Sequence, residues 1–306
     1  MTFVSPDTRP MAAALTMLAA MAVIGVIDNA ISVIARDIGI WQFMTWRAVL
    51  AIPVIWLGSR LGLGRLAPRR LWAVALRGGL VATAMLFYFG SLAIMPIAQA
   101  LGGLFTSPIF ILLVTAFALR QPVGPWRIFA VTLGFVGILV VLQPDPERLS
   151  WVTFLPVFGG FFYALGAIAT RTLCAGESVM SMLLALIVIQ GIIGLIAMAI
   201  LAVLAAEAAE GGAGFVLRGW VWPMTPLTHI LMVVQAVGSV IGVGLIIRAY
   251  QLGDPSHVSV FEYSVFIFGP LAAYLMLGQP LGWSTALGIV LIAIAGIVIV
   301  LRARSG

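Results

Sequence analysis

The sequence contains no lysine, a single cysteine, Cys174, and only two histidines, His229 and His257. One cysteine excludes an internal disulfide, and with two histidines it cannot build a usual zinc site. Charge is scarce as well. Charged residues make up 8% of the chain, against about 25% in a soluble domain. With 63% of its residues hydrophobic, the chain cannot cover a soluble surface, so lipid must contact much of it. The net charge of +6 therefore reads as a topology signal and not as a nucleic-acid footprint. There is no Walker A motif to drive transport with ATP and no HExxH. No DDxxD-like carboxylate cluster suggests prenyl transfer. No metal or cofactor is expected.

What the chain does have is apolar length. A membrane span needs about 20 apolar residues. Ten stretches qualify, at roughly 12–33, 39–58, 70–92, 96–119, 126–143, 151–173, 178–204, 226–250, 256–277 and 282–301. Turn-forming runs such as RQPVG, QPDPERLS, LGDPS and GQPLG separate them. The N-terminal MTFVSPDTRP lacks the charged leader of a signal peptide, so the first apolar run reads as a retained helix. Trp220 and Trp222, in the longest loop, read as interfacial anchors. Arginine sets the direction. With the N-terminus inside, Arg36, Arg148 and Arg218 fall outside, Arg47 lies within the second span, and the rest fall inside. That bias predicts two cytoplasmic termini in an inner, plasma-type membrane.

The two halves of the chain share a pattern. LRQPVGPWRIFAVTLGFVGILVVL at 119–142 aligns with LGQPLGWSTALGIVLIAIAGIVIVL at 277–301, with Gln121-Pro122 falling on Gln279-Pro280, an offset of 158. The same offset sets LFTSPIF at 104–110 against EYSVFIF at 262–268. Arg120 and Arg127 meet Gly278 and Thr285, so related segments carry opposite charge at their ends. An odd number of spans per repeat reverses its orientation. The expectation is an all-α membrane protein of ten helices, built as two inverted five-helix repeats at 1–150 and 151–306.

Polar residues inside such a bundle must be satisfied by protein, because an ionised side chain at a helix centre costs about 2.5–3.5 kcal/mol on insertion scales. Glu262 stands out, within HVSVFEYSVF in the ninth span. A carboxylate there could exchange a proton, or accept a hydrogen bond from a substrate amine; the alternative is a static tie to a neighbouring Arg or Tyr. Tyr263 and Ser264 flank it. Gly269-Pro270 should bend the span and could serve as a hinge. Asp28 and Asn29 in the first span could line a cavity, or Asp28 could pair with Arg47. Gln99, Gln235, Tyr88 and Tyr163 complete the candidate set of substrate-binding or coupling residues. Gly238-x-x-x-Gly242 is a helix-packing signal. His257 reads as interfacial.

WRAV in the second span and LRGGLVATAMLFYFGSLAIMP in the third carry a family resemblance, as do SPIFILLVTAFALRQPVGPWRIFAVTLGFVGILVV, ESVMSML and Glu262. The chain resembles the drug/metabolite transporter superfamily, EamA type, over essentially its whole length. Within it, the similarity is to the bacterial subgroup with S-adenosylmethionine and riboflavin transporters. The resemblance implies ten helices, cytoplasmic termini, a central cavity between halves, and transport of small organic metabolites. The sequence departs from the family where an acidic residue often follows the fourth span, having Arg120-Gln121 there. The expected function is a secondary transporter, not an enzyme. It would move a small polar or zwitterionic metabolite (amino acid, nucleoside-like or cofactor-like) by alternating access. Its partners would be that metabolite, membrane lipid and a coupling proton, with no nucleic acid. The alternatives are an intramembrane enzyme, with Ser239 its only nucleophile candidate, or a non-transporting scaffold or lipid-handling protein.

Overall fold

The computed structural model describes residues 9–91, 94–95, 97–143, 151–204 and 211–303. Among these the fold is entirely helical. Span one is α1 (Pro10–Asp37), span two α2 (Ile40–Arg60) and span three α3 (Leu71–Ser91). Span four consists of α4 (Ile97–Leu104), α5 (Ser107–Leu113) and a wider turn over Val114–Ala118. Spans five to seven are α6 (Pro125–Leu142), α7 (Leu155–Thr172) and α8 (Val179–Leu204). A short α9 (Gly211–Leu217), not expected from the sequence, precedes span eight, α10 (Pro226–Leu252). Span nine consists of α11 (Pro255–Val258), a tight turn of 3-10 helix over Ser259–Ser264, and α12 (Val265–Leu277); span ten is α13 (Trp283–Ala303).

The helices begin where the local chemistry directs. Proline, whose missing N–H costs nothing in a first turn, starts α1, α6 and α10, and Thr225 caps α10 by accepting from Thr228 N at 3.3 Å. Nine of the described spans are long and apolar enough to cross a membrane. The remaining one, α7, is 18 residues long and packs against α3, α4 and α5, so its polar residues meet protein.

The packing of the ten spans follows a rule. Span one lies against span eight, as span six lies against span three. Span one also touches span nine, as span six touches span four; span two touches span eight, as span seven touches span three. Spans two and seven pair with each other, and so do five and ten. Exchanging every span for the one five places away leaves this set unchanged. Backbone details recur at the 158-residue offset. Gln121 N donates to Thr115 O at 3.0 Å, and Gln279 N to Ala273 O at 3.3 Å. Arg120 (φ 52°) and Gly278 (φ 65°) both adopt the left-handed conformation. Residues 144–150, which lead up to the boundary at 150/151 and include Arg148, and Arg304 lie outside the described residues.

The bundle is sealed toward the end that carries Pro10 and Ala303. There Ala13, Ala14, Met17 and Met21 of span one pack with Ala249, Tyr250, Phe261, Ala164 and Ile111 into one dry core. Gly238 and Gly242 seat span eight on span one. A Cβ at either would approach Ile27 or Ile24 within 2.7 Å, so only a glycine surface admits those isoleucines.

Candidate functional site

Spans four and nine are both broken, and at related places. Thr106 Oγ1 donates to Gly103 O at 2.6 Å at the α4–α5 junction; Ser264 Oγ donates to Phe261 O, also at 2.6 Å, at the end of the 3-10 turn. Both are hydroxyls turned back three residues, and the two bonds stand 158 positions apart. Irregular backbone at membrane depth survives only where protein surrounds it. All six residues of Ser259–Ser264 are buried, which meets that condition. The expected bend at Gly269-Pro270 is therefore not where the helix breaks: Pro270 lies inside α12, and the irregularity precedes it.

The 3-10 turn aims Glu262, 2% exposed, into the bundle. Its Oε1 accepts from Tyr163 Oη of span six and from Tyr250 Oη of span eight, each at 2.8 Å. Its Oε2 is buried without a hydrogen-bond partner. Beyond Tyr163 lies Arg77 of span three, whose Nε donates to Thr170 Oγ1 at 3.1 Å. Arg77 is 3% exposed, so it does not sit at a membrane surface as the arginine count implied. Six residues into α3, at 1.5 Å each, it is about 9 Å along the axis. Tyr250 was also missed by sequence reasoning, because it lies one turn from the end of a long span. Tyr250 carries no motif; Arg77 lies in the LRGGL run that carries the family resemblance, and its depth in the helix was the further signal available.

Tyr263, 0% exposed, points the other way and packs with Ile138, Phe266 and Ile292, its ring against Gly134. Ser264 spends its hydroxyl on its own turn. His257 is buried against Phe261 and not interfacial, since the spans around α11 close over it.

Asp28 lies above this floor. Met17, Met21 and Asp28 share one stripe of α1, and the two methionines are buried. Asp28 on the same inward stripe is exposed, as is Ser32 one turn on. Span one thus packs into a sealed core in its first half and carries exposed polar residues along the same stripe in its second. Tyr88 of span three and Arg47 of span two feel the charge of Asp28, and the Gln235 side chain is beside it. Gln235 also donates to Ile27 O at 2.5 Å. Arg47 does not close an ion pair on Asp28; its Nη2 donates to Gln190 Oε1 at 2.7 Å, and its guanidinium lies 5.1 Å from the Phe43 ring centre. Asn29 Nδ2 donates to Gly25 O at 2.8 Å and to Gly269 O at 3.3 Å, gripping span nine beside Pro270. The backbones touch there: a Cβ on Gly25 would meet Gly269 N at 2.8 Å. Gln99 is buried in span four, apart from the Asp28 group in the sequence of helices.

Each end of the bundle is tied across the two sets of five spans. At the terminal end, Glu177 caps α3 by accepting from Arg69 N at 2.9 Å and Arg70 N at 2.7 Å. Arg127 donates to Ser256 Oγ at 2.8 Å and pairs with Asp254 at 3.5 Å. At the other end, Gln42 exchanges two hydrogen bonds with Val221, at 2.8 and 2.9 Å, and Asp37 accepts from Thr225 N at 2.8 Å.

These features define a multi-pass helical membrane protein with two discontinuous spans around a buried polar site, an arrangement common among secondary transporters. Residues 150–302, half of the chain, match the EamA-like transporter family, and the chain belongs to that family. It is 30% identical over 149 residues to a riboflavin transporter of Rhizobium johnstonii, covering 49% of this chain and 48% of that one. It is 24% identical over 184 residues to a riboflavin transporter of Vibrio cholerae, covering 60% and 56%. The chain thus spans about half the length of these riboflavin transporters in the matched regions. It is 23% identical over 265 residues to an S-adenosylmethionine uptake transporter of Rickettsia prowazekii, covering 86% and 82%. A solved crystal structure shares the fold, with a TM-score of 0.75 at 19% identity over 95% of this chain and 98% of the other. Membership in a transporter family counts against the intramembrane-enzyme alternative.

Proposed function

We propose that this protein is a secondary transporter that moves a small polar or zwitterionic organic metabolite across the inner membrane, with both termini cytoplasmic. The observation that carries the reading is the position of Glu262. It is a buried carboxylate with one oxygen held by two tyrosines and the other unpartnered, at the break of span nine. The relatives named for riboflavin and S-adenosylmethionine uptake support a small organic cargo. The exchange pattern of span contacts and the paired breaks support two inverted halves, 1–150 and 151–306.

On this reading the structure corresponds to an outward-facing state. The vestibule with Asp28 and Tyr88 receives the metabolite, while the sealed terminal half blocks exit. Rocking of the halves would break the ties at the terminal end and close the far rim, with Glu262 exposed to the opposite side. Glu262 serves as the coupling or substrate-contact group, Tyr163 follows its movement, and Gly269-Pro270 acts as the hinge that Asn29 holds. A proton is the natural coupling ion for a carboxylate so enclosed.

Reconstituted vesicles test this. Uptake of a metabolite panel should occur with wild type and fall on the order of a hundredfold in Glu262→Gln, the protein remaining folded. Wild-type uptake in that variant removes Glu262 from the mechanism.

A further inference from the structure

We infer that the loop joining spans two and three is a docking surface for anionic phospholipid. Its arginines take the headgroup phosphate, and its exposed leucines and tryptophans lie among the acyl chains. The inference goes beyond the proposed transport and does not depend on it.

The segment RLGLGRLAPRR at 60–70 holds four arginines, Arg60, Arg65, Arg69 and Arg70. All four are exposed. No Asp or Glu occurs from residue 38 to residue 144. Glu177 reaches the loop from elsewhere, but it is buried, and its two oxygens are spent on the backbone N–H groups of Arg69 and Arg70. Among the described residues none of the four guanidinium groups enters an ion pair. The loop is therefore a concentrated positive field with no carboxylate of its own to close on.

This is not a loose tail of charge. Leu63 N donates to Gly58 O at 3.0 Å and Gly62 N to Ser59 O at 3.1 Å, folding the chain back on the end of α2. Gly64 lies so close to the start of span seven that a Cβ there would strike Ser178 Oγ. Spans two and three both pack on span seven, which brings Arg60, at the end of one, and Arg69-Arg70, just before the other, to the same end of that helix. The Arg60 guanidinium lies 5.0 Å from the Trp56 ring centre, which holds it at the level of the last turn of α2.

The flanks select a lipid over a soluble anion. Trp56, Leu61, Leu63, Leu71 and Trp72 are each at least half exposed. Tryptophan at the end of a span sits where headgroups meet acyl chains. A phospholipid satisfies both the arginines and this apolar rim, whereas inorganic phosphate satisfies only the arginines. A choline headgroup brings a cation that the arginines repel, so a headgroup of net negative charge is favoured.

The test uses the purified full-length protein in a neutral detergent and thermal shift. The probes are dioleoylphosphatidylglycerol, dioleoylphosphatidylcholine and inorganic phosphate. Phosphatidylglycerol should stabilise wild type saturably, and the other two should do so much less. The double variant Arg65→Gln with Arg70→Gln should weaken the apparent affinity for phosphatidylglycerol on the order of tenfold or more. Arg120→Gln with Arg248→Gln removes the same charge from exposed positions elsewhere and should bind as wild type does. The inference is overturned if phosphatidylglycerol stabilises no more than phosphatidylcholine, if inorganic phosphate matches it, or if the two double variants lose affinity alike. Should the loop variant fail to fold, Arg65→Gln alone decides against Arg248→Gln alone, with an expected loss on the order of fivefold.

Discussion

At the residue scale, the centre of the molecule is an accounting of hydrogen bonds around Glu262. Tyr163 and Tyr250 spend their hydroxyls on the same oxygen. Removing one donor therefore leaves the other in place. Tyr163→Phe and Tyr250→Phe should each cost about 1–2 kcal/mol, and the double variant should cost more than the sum, because only then is Oε1 left bare. Thermal unfolding in detergent reads the three values. Asp28 and Glu262 are chemically alike and differently placed: one is exposed on its helix stripe, the other is enclosed beside two tyrosines. Burial pushes the thiol of Cys174, in the link between spans six and seven, up to about 11. Nearby Glu177 adds to this shift and Arg77 opposes it. The thiol therefore stays protonated and unreactive at neutral pH, a silent background for cysteine labelling.

At the element scale, close approach of helices depends on what a glycine faces. Gly238 on span eight meets the side chain of Ile27, and Gly25 on span one meets the backbone of Gly269. Gly238→Ala should destabilise by about 1–3 kcal/mol and recover much of that with Ile27→Ala, since the obstacle is a side chain. Gly25→Ala should lose as much or more, and no side-chain change on span nine should restore it. Unfolding temperatures of the single and double variants check both statements. The breaks in spans four and nine share one concrete feature, a hydroxyl turned back on the carbonyl three residues earlier. In span nine proline does not mark the break, since Pro270 sits within α12, and neighbours bury every side chain of the turn.

At the scale of the whole molecule, the difference between the two ends is the main feature. One half of span one is packed shut and the other carries the exposed Asp28 and Ser32. On the proposed orientation, Ser32→Cys should react with a membrane-impermeant maleimide applied outside intact cells, whereas Ala14→Cys should remain protected from either side. Arg127→Gln removes a cross-half tie to Asp254 and Ser256. Its expected effect is a shift toward opening at the terminal end, read as faster labelling of Ala14→Cys from the cytoplasmic side of inverted vesicles. Unchanged labelling would mean that this tie does not hold the closed end.

The ten spans and their approximate limits were legible in the sequence, because hydrophobic length is a local property that lipid enforces. So was the exceptional standing of Glu262 and Asp28, because a charge within an apolar run costs energy wherever the helix packs. The 158-residue correspondence could be read from Gln-Pro pairs and arginine placement. Which polar groups meet was not legible. Asp28 and Arg47 read as a possible pair, yet the fold gives Arg47 to Gln190. Glu262 read as a possible partner of Arg or Tyr, and only the crossing of spans six, eight and nine selected Tyr163 and Tyr250. Arg77 counted as a surface charge until its helix was placed within the bundle. Sequence determined which segments enter the membrane and which residues must be satisfied there. Tertiary structure decided the partners and the open end, because both depend on contacts between helices distant in the chain.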